Sequence, residues 1–446
     1  PLNKEHELEY QLGDLQARVI VSAATLLPVV DKVRATTALA HVFVVHYADL
    51  LPEVATLALP AELAQLQAAP RVVPAGCEDF LQVARSGAQA APVDISMDDV
   101  ALMTYTSGTT GLPKGAMLSY RNAWFKTRAS AQTNDVDGDD VLLAIAPLYH
   151  IAGMLMGVNL PVLTRAPTVL LFRFDALAAA QAMERYRVSW WYSIAPMNVA
   201  LLQLPGVREM DLSSLRRNAV TSFGITFTEA LAAQWRTLAP DCIACEAAYG
   251  LSETHTVDST MPADAIRWGT HGKAVPGNEI RIIDSLTGQA LPAGEVGEIT
   301  IRGPGNFLGY WNKPEATAQT LRGGWVHTGD MGRMDADGYL TFMGRFKEMI
   351  KVSGYSVFPE EVETILIRHP GIAQAAVIGV PDAEKGEVVR AFVVARPGQA
   401  LDAAALVQWA RDNMAPYKAP REVRIIDTLP ATGAGKVLRR LLKDLA

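Results

Sequence analysis

The chain has 446 residues, half of them apolar and a fifth charged, with a formal net charge of −7. Such a length exceeds one ordinary core and suits two or three domains. The acidic balance excludes nucleic acid as an extended partner, which needs a basic face, but leaves a small polyanion such as a nucleotide, held by a few local cations and backbone N–H groups.

From residue 1 to about 270, short β-rich runs alternate with amphipathic helical stretches, which predicts α/β layers with largely parallel strands. The chain opens on Pro1 and passes directly into a helix-like pattern, which suggests that a segment upstream is missing. Strands are expected at 18–22, 41–45, 141–147, 168–172 and 189–194, and helices at 176–186 and 229–238. The apolar run 151–172 has the length of a membrane span. Arg165, Pro161 and Pro167 inside it argue instead for a buried helix followed by a buried strand, with no integral membrane segment. Trp190, Trp191 and Tyr192 lie in a strand-like run and read as core, not as a base-stacking platform. Cys242 and Cys245 have the spacing of a redox or zinc pair, but no second pair accompanies them, and they read as buried strand thiols. With Cys77 they are the three cysteines of the chain, too few for a disulfide framework, which favours a reducing, cytoplasmic setting.

At 278–302 the apolar period changes to two, which predicts an antiparallel patch, a small barrel or sheet appended to the α/β part. Asp337-Gly338 between two short strands signals a tight hairpin. The context of Asp335 and Asp337 resembles a calcium loop without its remaining ligands. After Arg345 the pattern resets. A helix over 360–369 behind Pro359, strands at 373–380 and 390–395, a helix over 401–414 and a basic amphipathic helix over 437–445 make a small separate domain. The predicted class is α/β: a large multilayer N-terminal domain with a β-rich appendage, residues 1–346, and a small C-terminal α+β domain, residues 347–446.

The densest chemistry lies in 103–115, Met-Thr-Tyr-Thr-Ser-Gly-Thr-Thr-Gly-Leu-Pro-Lys-Gly. A strand-like lead enters a loop with four hydroxyls (Thr106, Ser107, Thr109, Thr110), three glycines (Gly108, Gly111, Gly115) and Lys114. Glycine lets the backbone approach an oxyanion, hydroxyls and N–H groups donate to it, and the lysine adds a mobile positive charge. A polar Ser/Thr/Gly turn is common; one closed by a lysine is not. It is not a Walker loop: Gly-x-x-x-x-Gly-Lys-Ser/Thr is nowhere matched in the chain, and Gly435-Lys436 is followed by Val437.

This stretch resembles the phosphate loop of the adenylate-forming superfamily, which holds acyl-CoA synthetases, peptide-synthetase adenylation domains and firefly-type luciferases. Pro147-Leu-Tyr-His150, Tyr249-Gly-Leu-Ser-Glu-Thr254, Thr328-Gly-Asp330, Gly344-Arg-Phe-Lys-Glu-Met-Ile-Lys351, the segment 353–362 and Gly435-Lys436 follow in the family's order and approximate spacing. The resemblance implies that the loop 106–111 wraps the phosphates of ATP and that Glu253 holds Mg²⁺, a hard cation suited to carboxylate and phosphate oxygen. Tyr249 would flank the adenine, Asp330 and Arg345 would reach the ribose, and Gly224 would lie against the nucleotide. Lys436 would bridge the acyl carboxylate and the nucleotide during adenylation. A rotation of the small domain about Lys347 would then bring Lys351 and Gly354 to the site, the glycine leaving room for the pantetheine arm of CoA.

The implied reaction makes an acyl-AMP from a carboxylic acid and ATP, then passes the acyl group to CoA. An acyl pocket is expected around His150, Met154, Met197, Phe223, Ile225 and Ala248. These are mostly small or apolar, with no fixed charge for an amino or second carboxyl group, which points to a fatty or aryl acid. A carrier-protein-loading adenylation domain, a catalytically silent nucleotide-binding scaffold and a homodimeric assembly stay open.

Overall fold

The computed structural model describes residues 3–106, 112–222, 226–382, 384–431 and 437–445. The phosphate-loop residues Ser107, Gly108, Thr109, Thr110 and Gly111, the pocket residues Phe223, Gly224 and Ile225, and Lys436 lie outside them. The chain divides into two units, residues 1–95 and 96–446.

In the first unit, Val19–Ala23, His41–Val45 and Glu78–Asp79 form a parallel three-stranded sheet. Its apolar face closes on Leu12 of helix Glu5–Leu15 and on Leu27, Val30 and Val33 of helix Leu27–Arg34, which recur at the spacing of one helix face.

The second unit is built on a five-stranded parallel sheet in the order Ile243–Glu246, Arg217–Thr221, Trp190–Ile194, Leu142–Ala144, Thr168–Leu170. Trp190 and Trp191 are fully buried in its central strand, and Trp191 packs edge-on against Trp235 with ring centroids 6.0 Å apart. Helices Ala176–Tyr186 and Glu229–Leu238 fall at the residues the sequence predicts, and Asp175 and Thr228 cap them through Ala178 N–H (2.8 Å) and Leu231 N–H (3.4 Å). Cys242 and Cys245 are buried thiols at the outermost strand, with burial pushing the Cys242 thiol up to about 12.

The run 151–172 departs from expectation. Its helical part is interrupted by a π-helical segment, Leu155–Asn159, between Ile151–Met154 and Leu160–Thr164. The following strand Thr168–Leu170 is not buried: it is the edge of the sheet, and Leu170 is 60% exposed, as is 76% of Val162 on the helix. Hydropathy reports which residues are apolar but not which strand ends the sheet. Among the described residues no helix is long and apolar enough to cross a membrane.

The β-rich appendage is an antiparallel sheet, Glu279–Ile283, Gly297–Arg302, Trp325–Met334 and Leu321–Arg322, with Leu340–Arg345 also paired to Trp325–Met334. The hairpin turn falls at Asp337-Gly338, where Gly338 has φ +84°. The two carboxylates that resembled a calcium loop are occupied by Arg267, which donates to Asp337 at 2.8 Å and also to Asp335. A further antiparallel sheet, Gly309–Tyr310, Lys114–Ser119 and Val100–Thr106, frames the phosphate loop.

Residues 347–446 carry their own mixed sheet, Tyr355–Val357, Ile350–Val352, Gly386–Ala395 and Ile372–Asp382, with Glu422–Ile425 parallel to Gly386–Ala395. Helices Pro359–Leu366 and Ala403–Asn413 cover it through Val362, Leu366, Leu406 and Ala410. The last helix is shorter than its amphipathic pattern, Arg439–Lys443. Its Arg439 is drawn inward by Glu348 (2.5 Å), Glu360 (3.0 Å) and Glu363 (2.9 Å).

Candidate active site

The phosphate loop joins the antiparallel strands Val100–Thr106 and Lys114–Ser119, so its two ends meet: Thr106 pairs with Lys114 in register, and Thr106 Oγ1 donates to the Lys114 carbonyl at 3.4 Å. From there Lys114 Nζ lies 4.2 Å from the centre of the Tyr310 ring, a cation held against a π face. Tyr310 in turn donates its hydroxyl to Glu253 Oε1 at 2.6 Å. Burial and the Glu253 carboxylate raise the Tyr310 pKa well beyond its ordinary value, so the hydroxyl stays a donor. Lys114, Tyr310 and Glu253 thus form one contiguous row.

Asp330 and Arg345 are cross-strand neighbours in the hairpin Trp325–Met334/Leu340–Arg345, with Arg345 Nε 3.1 Å from Asp330 Oδ1. Asp330 Oδ2 accepts the Tyr249 hydroxyl at 2.7 Å, and the Tyr249 ring stacks on Phe342 with centroids 5.8 Å apart. Burial, then the Asp330 carboxylate, hold the Tyr249 phenol protonated. Burial draws the Arg345 pKa down, but Asp330, Glu348, Tyr249 and Glu253 outweigh it, and the net direction is up. Arg345 thus pairs with Asp330, with Glu253 the weakest of the negative charges that raise its pKa.

Glu253 rides on a single 3₁₀ turn, Ser252–Thr254. The three residues after it, His255, Thr256 and Val257, all have left-handed φ (57°, 56° and 47°). Non-glycine residues pay about 1–2 kcal/mol each in that region. His255 is fully buried, neither ring nitrogen has a partner among the described residues, and burial pulls its pKa down to about 4, so the imidazole is neutral.

Of the residues expected at an acyl pocket, His150 and Ala248 both adjoin Ala152. His150 caps the helix at Ile151, its Nδ1 accepting Ala152 N–H at 3.3 Å. Ala248 packs against the core of Ala152, Leu155, Met156, Tyr192 and Val257. Met154 and Met197 are half-buried. Lys351 and Gly354 belong to the small sheet. Lys351 Nζ donates to Ser356 Oγ at 2.9 Å, and Gly354 takes φ +85° in the turn behind it, with open space where a Cβ would lie. Lys347 sits in the 3₁₀ turn Phe346–Glu348 directly after Arg345. Sequence reasoning missed Tyr310, whose two-residue strand Gly309–Tyr310 is too short to give a local signal, and the fully buried ion pair Lys126–Asp258 (2.5 Å) beneath the Glu253 turn.

This is the architecture of a nucleotide-dependent acid-activating enzyme, and comparison with known proteins agrees. The family model for AMP-binding enzymes matches residues 1–311, and that for the AMP-binding enzyme C-terminal domain matches 361–436. The chain belongs to the AMP-binding enzyme family. A long-chain-fatty-acid–CoA ligase of Bacillus subtilis (strain 168) is 33% identical over 454 residues, covering 100% of this chain and 80% of that protein. A feruloyl-CoA synthase of an Amycolatopsis species is 39% identical over 351 residues, 77% of this chain and 70% of that one. Among solved structures, ATP-bound MatB from Rhodopseudomonas palustris aligns with a TM-score of 0.84 at 29% identity, covering 100% of this chain and 82% of that one. The anthranilate CoA ligase AuaEII in complex with anthranoyl-AMP aligns with a TM-score of 0.83 at 29% identity, covering 100% and 81%.

Proposed function

We propose that the chain is an AMP-forming acid–thiol ligase: it joins an apolar fatty or aryl acid to ATP as acyl-AMP, releasing pyrophosphate, then transfers the acyl group to CoA, releasing AMP. The observation that carries this reading is the row Lys114–Tyr310–Glu253 together with the Arg345–Asp330–Tyr249 set. It sets a cation and a carboxylate beside a phosphate-type loop, and a carboxylate–guanidinium pair beside a stacked aromatic.

In the first half-reaction a carboxylate oxygen attacks the α-phosphorus, and developing negative charge must meet preorganised donors and cations. Thr106 and the loop through Gly111 would hold the β- and γ-phosphates with Lys114. Asp330 would accept the ribose hydroxyls, Arg345 would orient the ribose, and Tyr249 and Gly224 would flank the base. Lys436 would span the acyl carboxylate and the nucleotide.

Glu253 fits a magnesium ion. Tyr310 occupies Oε1, and among the described residues Oε2 has no hydrogen-bond partner and no cluster of three or more His, Cys, Asp or Glu side chains competes for an ion. One carboxylate plus substrate phosphate oxygens is the usual magnesium set. Bound there, the ion would neutralise phosphate charge.

The acyl chain would lie against Ala248, Met154 and Met197, with His150, Phe223 and Ile225 closing the pocket. For thioester formation the small domain would turn about Lys347 and present Lys351 and Gly354 to the CoA thiol, which attacks the acyl carbonyl carbon as AMP departs.

A CoA-dependent AMP-formation assay across fatty, aromatic and amino acids tests the reading. Turnover is expected with apolar monocarboxylic acids, and a free amino acid preferred over all of them would overturn the pocket assignment. In Lys436→Ala, acyl-AMP formation should fall at least about 10²-fold while thioester formation from supplied acyl-AMP persists.

A further inference from the structure

The segment 248–260 is a closed loop that folds back on itself. Its ends pair antiparallel, Ala248 with Thr260 and Tyr249 with Ser259. Thr256 N–H donates to Leu251 O at 2.8 Å, and Asp258 N–H to Tyr249 O at 2.7 Å. The loop is so tight that a Cβ on Gly250 would lie 2.5 Å from Val257 N. Within it, Glu253 and Thr254 are followed by three left-handed residues, His255, Thr256 and Val257, two of them β-branched, a conformation that persists only where the surroundings dictate it.

The surroundings that dictate it come from elsewhere in the chain. Ser119 and Asn122 cap the helix Tyr120–Asn134 reciprocally (3.2 and 2.8 Å), and Lys126 in that helix reaches into the loop. Lys126 Nζ donates to Asp258 Oδ1 at 2.5 Å and to the Val257 carbonyl at 3.0 Å. Asp258 also accepts Asn278 Nδ2 at 2.9 Å and the hydroxyl of Thr254, the neighbour of Glu253. The lysine stem passes Gly305, where a Cβ would stand 2.1 Å from Lys126 Cε. Lys126, Asp258 and Thr254 are wholly excluded from solvent.

A buried pair of this kind is a poor device for stability, because well-packed apolar residues serve as well or better. What it does supply is direction. One ammonium fixes the carbonyl at the end of the left-handed run, and one carboxylate fixes the hydroxyl at its start. We infer that Lys126 and Asp258 are positioning residues for Glu253, acting through Thr254 and Val257 to hold its carboxylate at the Tyr310 hydroxyl, ready for the divalent cation. The inference rests on the reading of Glu253 as the magnesium-binding residue. Tyr249 depends on the pair less, since its phenol is held separately by Asp330.

The test replaces the pair with apolar residues, Lys126→Met/Asp258→Leu, and in parallel removes the Thr254 hydroxyl, Thr254→Val, which breaks the link to Asp258 together with two longer contacts to the Leu251 backbone (3.2 and 3.4 Å). Three quantities are measured in the full chain: thermal melting, AMP affinity without metal, and the Mg²⁺ concentration giving half-maximal acid-dependent pyrophosphate exchange. The expected result is a melting temperature near that of the parent, AMP affinity little changed, and a Mg²⁺ requirement raised about tenfold or more in both variants. An unchanged Mg²⁺ requirement in Thr254→Val overturns the inference even where the double variant does not fold. So does a loss of AMP affinity in step with Mg²⁺, the mark of a merely structural pair. Glu253→Gln separates the two readings. If it leaves the Mg²⁺ requirement at the parental value, the assignment of Glu253 is what fails; if it raises the requirement and the clamp variants do not, the clamp is what fails.

Discussion

Tyr310→Phe isolates one hydrogen bond in the candidate site. The substitution keeps the ring, and with it the edge-on contact to Phe307 (centroids 4.9 Å apart) and the face beneath Lys114 Nζ. It removes the hydroxyl that donates to Glu253 at 2.6 Å. Two effects compete. The hydroxyl occupies Oε1, so losing it frees a second oxygen for the ion; it also fixes the plane of the carboxylate, so losing it lets Glu253 swing. A hydrogen bond to a charged acceptor is worth about 1.5–3 kcal/mol, and each 1.4 kcal/mol is about tenfold in rate. Orientation should win, because on the proposed reading the ion would take Oε2, which no described residue occupies, and a freed carboxylate would still find the cation part of the time. The low end of that range then applies, a loss of about tenfold in kcat/KM for pyrophosphate exchange. Since burial and Glu253 hold the phenol protonated, the ratio of parent to variant should stay flat between about pH 6 and 9. A variant within about twofold of the parent, alongside a crippled Glu253→Gln, would refute the orienting role of Tyr310.

The other expectations follow from single contacts. Asp330→Ala strips the partner from both the Tyr249 hydroxyl and Arg345, so AMP binding by calorimetry should weaken about tenfold or more, and unchanged affinity would remove Asp330 from the ribose site. Glu246 is buried against Ser222, and burial raises its pKa from an ordinary 4.5 to about 7. The folded state therefore holds the proton, and that stability, full at low pH, is lost as pH rises through about 7, a cost on the order of 3 kcal/mol. Glu246→Gln should flatten the fall in denaturation free energy between pH 5 and 8, with a residual slope from Glu360, likewise pushed up to about 7 by burial. Equal slopes in parent and variant would contradict this. Lys347→Pro should leave one pyrophosphate per enzyme but slow transfer to CoA by orders of magnitude, with a milder defect in Lys351→Ala. Native CoA turnover in a folded Lys347→Pro protein would end the hinge proposal.

Much of this protein is legible in its order of residues. The alternation of short β runs with 3.6-period helices, the switch to a period of two at 278–302 and the reset after Arg345 each report a local rule, and the parallel sheet, antiparallel sheet and small mixed sheet appear where those rules put them. The expected phosphate loop, the Tyr249–Thr254 stretch and Thr328–Asp330 stand out as candidates because a strand turning into a loop can supply several donors or ligands from contiguous residues. The edge position of Thr168–Leu170 was not readable, because strand order is decided by how helices cover the two faces. Nor was Tyr310. It reaches Glu253 because Gly309–Tyr310 pairs with Ala116 and Met117, nearly two hundred residues earlier in the chain. Lys126 was hidden for the opposite reason: lysine mostly lies at the surface, and only a carboxylate 132 residues further on makes its burial tolerable. The sequence carries the chemistry that adjacent residues can perform; which distant residues pair is decided only when the chain closes around them and water is gone.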